Sequence, residues 1–353
     1  MAAFDLNIFS TDDNLHLIPP YIDDPDFLVK GWDDQGLKGH VFICSSGTSS
    51  QGEIKTYALS KTALLENAAA VNKLINASSS DKWLCSLPAF HVGGLSIFAR
   101  SYLCRSQPVI LDRKWKDEDA LIDIEFFSVV PTQLYRMVQK KLTPPKRHKA
   151  LFVGGDFLSS GLREQARSLG WNIILTYGMT EVCSQFASSF VTDSFDNYLD
   201  ILPIHSFEGD LIRSKSLYTS RIIFHGKDYE TFVSANMFQL PDKYKLNSNK
   251  TKIKPLGRGD GHFKHKGKLY HKFQVLDLIQ NILLELNALE NCQVVLEKNE
   301  ELGEVPVLLV TKEKLKTALE NKILASNYLK GLDFYFRIVE HIDSYGVGKI
   351  KNF

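Results

Sequence analysis

The sequence predicts an α/β protein: a large N-terminal α/β domain with a mostly parallel, crossover-connected sheet, followed by a small C-terminal α+β domain. Short apolar runs alternate with helical patterns from residue 40 to about 180, as they do where strands of one sheet are joined by crossover helices. After GRGDGHFKHKGKLY the order becomes helix, strand, turn, strand, helix, strand, which describes a compact α+β unit. A chain of 353 residues, 44% hydrophobic and 24% charged, is long enough for both. The expected division is 1–268 and 269–353, within the glycine- and lysine-rich stretch around 262–272.

In order, HVFIC, KWLCSLP, PVILD, FFSVVP, ALFVGG and NIILTYG read as strands. Ser60 is an expected N-cap for a helix with Leu64, Ala68, Val71 and Ile75 on one face, and Thr132 and Ser160 are expected to cap two later helices. Residues 190–256 read as a mixed end of the large domain: SRIIFH and ETFVSA are strand-like, and KYKLNSNKTKIKP reads as an exposed polar connection. In the last unit QVLDLIQNILLEL and KEKLKTALENKIL are the helices, and CQVVLE, VPVLLVT and FYFRIVE the strands.

Lys and Arg total 42 against 41 Asp and Glu, so a net charge of +1 gives no overall field for nucleic acid or an anionic membrane. No apolar run approaches the ~18 residues of a membrane span, and MAAFDLNIFSTDDN lacks the basic flank and apolar stretch of a secretion signal, so a cytoplasmic protein is expected. Five scattered cysteines, never in a CxxC pair, suggest reduced core residues, with neither disulfides nor a zinc site.

Chemistry-bearing motifs gather at strand ends, where ligands of open α/β sheets bind. HVFIC runs into Ser45, Ser46, Gly47, Thr48 and Ser49 and on to Lys55, a loop of hydroxyls and bare backbone N–H groups suited to phosphate oxygens. Gly47 and Gly52 have the gap of a Walker loop, but Glu53 and Ile54 follow where lysine and a hydroxyl residue would be needed, which argues against a P-loop NTPase. TYGMTE (Thr176 to Glu181) ends the strand NIILTYG, and the glycine pair Gly154 and Gly155 with Asp156 ends ALFV. Asp260 lies in GRGD and Lys349 in YGVGKIK.

With these motifs in this order, the chain resembles the AMP-forming acyl- and aryl-CoA ligases of the adenylate-forming superfamily over residues 40–353, most densely over 83–185. Its SSGTSSQGEIK is similar to that family's phosphate loop if Ser50 and Gln51 are an insertion and Ile54 replaces a proline. The resemblance implies ATP, Mg²⁺ and CoA as cofactor and co-substrates, with a small-molecule acid as the other partner. It implies that Tyr177, in the Tyr177–Gly178 step, stacks on adenine with Gly154, Gly155 and Asp156 alongside, that Thr180 contacts the α-phosphate, and that Glu181 binds Mg²⁺. Asp260 would hold the ribose hydroxyls, and Lys349 would bridge the acid carboxylate and the α-phosphate.

LPAFHVGGLSIFARS, SVVPTQL and YGMTEVCSQ look like the 2-succinylbenzoate–CoA ligase branch of menaquinone synthesis. On that resemblance the acid pocket lies between HVGGL and the strand ending SVVP, with Met179 among its substrate-binding residues: Gly93 and Gly94 leave room for a ring, His91 orients a carbonyl oxygen, and Arg100 pairs with a second carboxylate. The bland alternatives are His91 as a helix cap and Arg100 in solvent. Two departures stand out. Only about forty residues precede the phosphate loop, and the glycine-rich hinge loop expected after GKLY is absent, which bears on the thioester half-reaction. The competing readings are another aryl- or acyl-CoA ligase, a stand-alone acid-adenylating enzyme, or a degenerate nucleotide-binding module.

Overall fold

The computed structural model describes residues 4–45, 53–111, 115–192, 196–226, 228–258, 262–266, 268–299 and 301–342. Ser46, Gly47, Thr48, Ser49, Asp260 and Lys349 therefore lie outside the described residues.

The chain opens with β1 (Leu15–Leu17) and α1 (Pro25–Asp33), then β2 (His40–Cys44), β3 (Ile54–Ser60), α2 (Lys61–Leu74), β4 (Trp83–Cys85), α3 (Val92–Leu103) and β5 (Val109–Ile110). It continues through β6 (Phe126–Val129), α4 (Pro131–Gln139), β7 (Ala150–Val153), α5 (Ser160–Ser168), β8 (Ile173–Met179) and β9 (Ser184–Phe190). Two sheets result. One has the order β5-β4-β6-β7-β8-β9, parallel throughout except for β9.

The other sheet orders β1-β2-β3 with two later strands, β13 and β14 below, and here one expectation is corrected. The loop after Cys44 does not lead from a strand of the parallel sheet into a helix; it joins β2 and β3 as an antiparallel hairpin. IKTYALS, unassigned in the sequence reading, is a strand ending at the Ser60 N-cap, whose Oγ accepts from the Ala63 N–H. Thr132 is not a cap: α4 starts at Pro131, a residue whose fixed φ suits the first helical position, with Val130 as N-cap. Ser159, one residue before the expected Ser160, caps α5.

Alternation of side chains across each strand builds the layers. Phe42 and Cys44 face α1 with Leu28 and Trp32, whereas Val41 and Ile43 face α2 and α3. In the parallel sheet Trp83, Phe126 and Phe152 also face α2 and α3, while Leu84, Phe127, Leu151 and Val153 face α4 and α5. The order is thus helix, sheet, helix pair, sheet, helix pair, and strands buried on both faces are the ones that read as apolar runs.

Residues 199–258 form small antiparallel pieces: β10 (Leu199–Asp200), β11 (His205–Glu208), β12 (Leu211–Ser214), β13 (Ser220–His225), β14 (Asp228–Val233), β15 (Phe238–Gln239), β16 (Asp242–Leu246) and β17 (Lys252–Arg258). KYKLNSNKTKIKP is therefore the β16–β17 hairpin and not an irregular connection; Asn247 at its tip accepts from the Thr251 and Lys252 N–H groups.

The last sheet holds β18 (His262–His265), β19 (Lys268–His271), β20 (Cys292–Asn299), β21 (Gly303–Val310) and β22 (Tyr335–Ile338), with α6 (Lys272–Glu285) and α7 (Glu313–Ala325). The apolar cluster of α4 and α5 continues without a break into Val275, Leu276, Ile279 and Leu283 of α6. Polar groups reinforce the seam: Ser160 N–H and Oγ donate to Asp277, and Gly161 N–H donates to Asn281 Oδ1 at 3.0 Å. Phe157 stacks on Phe273 with centroids 5.2 Å apart, and Arg136 pairs with Glu290. All five cysteines are buried free thiols, as expected.

Candidate active site

At the carboxyl end of β8 the backbone is crowded. A Cβ on Gly178 would lie 2.0 Å from the Ser184 carbonyl oxygen, so only glycine lets β8 and β9 meet there. Between them Cys183 has φ +58° and Ser184 φ +126°, strained values for residues bearing a Cβ. The turn is held from outside: Asn67 of α2, fully buried, donates to the Val182 and Gln185 carbonyls at 3.0 and 2.7 Å, and Ser216 Oγ donates to Val182 O. Gln185 is part of this scaffold, with Ser188 Oγ donating to its Oε1.

That turn presents Glu181. Tyr57 of β3 donates its hydroxyl to Glu181 Oε1 at 2.7 Å, Tyr218 N–H donates to the Glu181 carbonyl, and the Tyr218 ring meets Tyr57 edge-on at 5.3 Å. Burial first, and the Glu181 charge second, push the Tyr57 phenol pKa up, so the donor stays protonated. Two strand positions before Tyr57 is Lys55, on the same side of β3, and Ser45 N–H donates to the Lys55 carbonyl at 2.8 Å, closing the base of the hydroxyl-rich loop. The structure therefore brings Ser45, Lys55 and Glu181 to one region, through Tyr57, which sequence reasoning missed.

Tyr177 points its hydroxyl the other way, donating to Asp242 Oδ2 at 2.8 Å, with its ring edge-on to Phe186. Asp242, at the start of β16, is a second residue the sequence reading overlooked; only spatial proximity to Tyr177 marks it. Gly154 follows β7, and a Cβ there would meet Thr176 Oγ1 at 2.0 Å, so the glycine lets β7 and β8 approach at the edge. Gly155, with φ +82°, turns the chain, and Asp156 accepts from the Phe157 N–H. Thr180 accepts from the Cys183 N–H through its carbonyl, and Met179 packs partly buried against the cluster around Val182 and Phe186.

His91 occupies the N-cap position of α3, but its side chain makes no capping bond; the ring lies 4.7 Å from Phe90. Gly94 provides close packing and not ring space: its Cβ would meet the Pro88 carbonyl oxygen at 2.2 Å. A Gly93 Cβ would lie 3.3 Å from Leu87. Arg100 is corrected on the alternative that put it in solvent. It is 1% exposed, and its guanidinium lies over Trp83 and Phe152 at 4.9 and 5.5 Å, with burial lowering its pKa to about 9. It stands roughly 13 Å further along α3 than His91, at about 1.5 Å per residue, which takes it away from the carboxyl edge.

No group of three or more His, Cys, Asp or Glu that could hold a metal occurs among the described residues. A single carboxylate with one oxygen held by Tyr57 suits a hard cation that takes its other ligands from phosphates and water.

Residues 40–201 match the family model for AMP-binding enzymes, a span covering β2 through β10 and hence both the loop hairpin and the TYGMTE turn. The particular relatives are more specific. The chain is 27% identical over 308 residues to a 2-succinylbenzoate–CoA ligase of Lactococcus lactis subsp. lactis, covering 80% of this chain and 64% of that enzyme. It therefore spans less than two-thirds of the length of that relative. In structure it is similar to Bacillus subtilis O-succinylbenzoate CoA synthetase (MenE) in complex with AMP, with TM-score 0.70 at 17% identity, covering 88% of this chain and 67% of that one. The same enzyme in complex with ATP and magnesium ion gives TM-score 0.67 at 17% identity, covering 88% and 68%. These likenesses establish the fold, a large α/β unit followed by a smaller α+β unit.

Proposed function

We propose that the chain is an ATP-dependent, AMP-forming acid–thiol ligase that adenylates an aromatic carboxylic acid, 2-succinylbenzoate, and transfers it to CoA. The observation that carries this reading is the Tyr57–Glu181 hydrogen bond, which joins the strand leaving the hydroxyl-rich loop to the TYGMTE turn. The strand that leaves the proposed phosphate loop and a carboxylate are then neighbours, as attack of an acid oxygen on an α-phosphorus requires. The relative named for 2-succinylbenzoate and the neighbour bound to ATP and magnesium support the choice of substrates. No described helix is long and apolar enough to cross a membrane, and five buried free thiols fit the reducing cytoplasm.

In this mechanism two anions must meet, and the protein's task is to reduce their repulsion. Glu181 would hold Mg²⁺, which supplies positive charge beside the phosphates. Backbone N–H groups of the loop from Ser45 to Lys55 would bind the outer phosphates, and Tyr177 with Gly154 would take adenine. Asp242, which accepts from the Tyr177 hydroxyl, would accept ribose hydroxyls, the role that the resemblance implied for Asp260. Lys349 would clamp carboxylate and α-phosphate from the C-terminal domain at 269–353. His91 and Met179 would line the acid site.

Incubation with ATP, Mg²⁺, CoA and 2-succinylbenzoate, followed by mass spectrometry, should show both acyl-adenylate and thioester. Lys349→Ala should lower adenylate formation at least ~100-fold, the scale of one lost transition-state donor, while capture of preformed adenylate survives. Equal loss of both half-reactions, or no acid-dependent pyrophosphate release, would sink the proposal. A second reading, an acid-adenylating enzyme without the thioester step, is favoured by the α5–α6 seam, because rotation of the C-terminal unit between half-reactions would separate Leu283 and its neighbours from α4 and α5.

A further inference from the structure

We infer that Tyr57 is a positioning residue for the metal carboxylate: its hydroxyl fixes one oxygen of Glu181 so that the other is held toward the phosphates. This rests on the proposed role of Glu181. Tyr57 is 3% exposed and stands in the middle of β3, between strands β2 and β13, so its ring cannot swing aside. The 2.7 Å bond takes Oε1, leaving Oε2 as the oxygen available to a cation. The Glu181 backbone is fixed independently by Tyr218, and the turn that carries it by Asn67 and Ser216. Tyr57 alone supplies a bond to its carboxylate among the described hydrogen bonds.

A carboxylate on so rigid a backbone still rotates about its own side-chain torsions. Without a partner it loses freedom only when the cation arrives, and affinity falls by that ordering cost. Arg221 faces Tyr57 across the β3–β13 pairing and lies near both Tyr57 and Tyr218, so positive charge is present at the same place without a bond to the carboxylate. Removing an outer-shell partner of a metal ligand costs about 10–100-fold in metal affinity in comparable sites.

The test is calorimetric binding of ATP across a Mg²⁺ series to the native protein, Tyr57→Phe and Glu181→Gln, with fold checked by thermal melting. Tyr57→Phe should need about 10–100-fold more Mg²⁺ for the same ATP affinity and should bind metal-free ATP as the native protein does. Glu181→Gln should lose the Mg²⁺ dependence. A Tyr57→Phe protein that melts earlier but keeps the native Mg²⁺ curve overturns the inference and leaves the role of Glu181 intact. A native curve retained by Glu181→Gln removes both. A second measurement needs no change at position 57: with 13Cζ-labelled tyrosine and ATP bound, Mg²⁺ should shift one resonance in the native protein and not in Glu181→Gln. Absence of that shift in the native protein also overturns the inference.

Discussion

The turn after β8 and the seam between α5 and α6 hold the molecule together by opposite means. At the turn, glycine-width contacts, two positive-φ residues and a buried asparagine fix backbone polar groups around one carboxylate. Along the seam, Leu162, Ala166, Ile279 and Leu283 meet in an apolar layer, with hydrogen bonds at the helix start, where Ser160 and Gly161 reach Asp277 and Asn281. The first arrangement spends strain on aiming a group, the second gains burial by matching shapes. Substitutions should therefore act differently in the two places: through packing volume at the seam and through backbone geometry at the turn.

The largest stability effect is expected at the seam. Leu283→Ala, at a position 1% exposed, should destabilise by about 2–5 kcal/mol, the usual range for a truncated core leucine. Chemical denaturation followed by tryptophan fluorescence would measure it, and a loss below about 1 kcal/mol would mean the units do not share this core. At the turn, Gly178→Ala should cost about 1–3 kcal/mol by overpacking and should displace Glu181, so ATP affinity in Mg²⁺ falls along with stability. If ATP binding is untouched, the turn does not aim the carboxylate.

A smaller effect tests a third kind of site, beneath the parallel sheet. His148 lies between Phe127 and Trp171, and burial lowers its pKa to about 4 from an ordinary 6.5. The depressed value means the unfolded chain takes up the proton first. Its contribution to stability is therefore complete above pH 6.5 and declines as pH falls toward 4. His205, likewise lowered to about 4, adds in the same direction. His148→Phe should flatten the fall in melting temperature between those pH values; an unchanged profile would assign the acid sensitivity elsewhere.

Strands β2, β4, β6, β7 and β8 were legible because burial on both faces makes them apolar runs. Strand β3 was hidden because its buried positions include Thr56 and Tyr57, whose polar atoms are satisfied by Trp32 Nε1 and Glu181, partners far off in sequence. The β16–β17 hairpin was hidden because few of its residues are apolar: β16 alternates exposed Lys243 and Lys245 with half-buried Asp242, Tyr244 and Leu246, and in β17 only Ile253 and Leu256 are buried among the described positions. At the site the motifs themselves were readable, but what surrounds them was not. Asp242 looks like an ordinary turn aspartate until Tyr177 is seen against it, and Arg100 becomes intelligible only once Trp83 and Phe152 are seen to enclose it.

The burial of every cysteine reaches beyond packing. A thiolate is the species that reacts with disulfides and oxidants, and burial drives the thiols of Cys44, Cys85 and Cys292 up to about 12, with Cys104 and Cys183 also raised. The folded protein thus behaves toward sulfur chemistry as though it carried none. On the proposed function, the protein could then work beside a thiol co-substrate, and beside its oxidised disulfide, without forming mixed disulfides of its own.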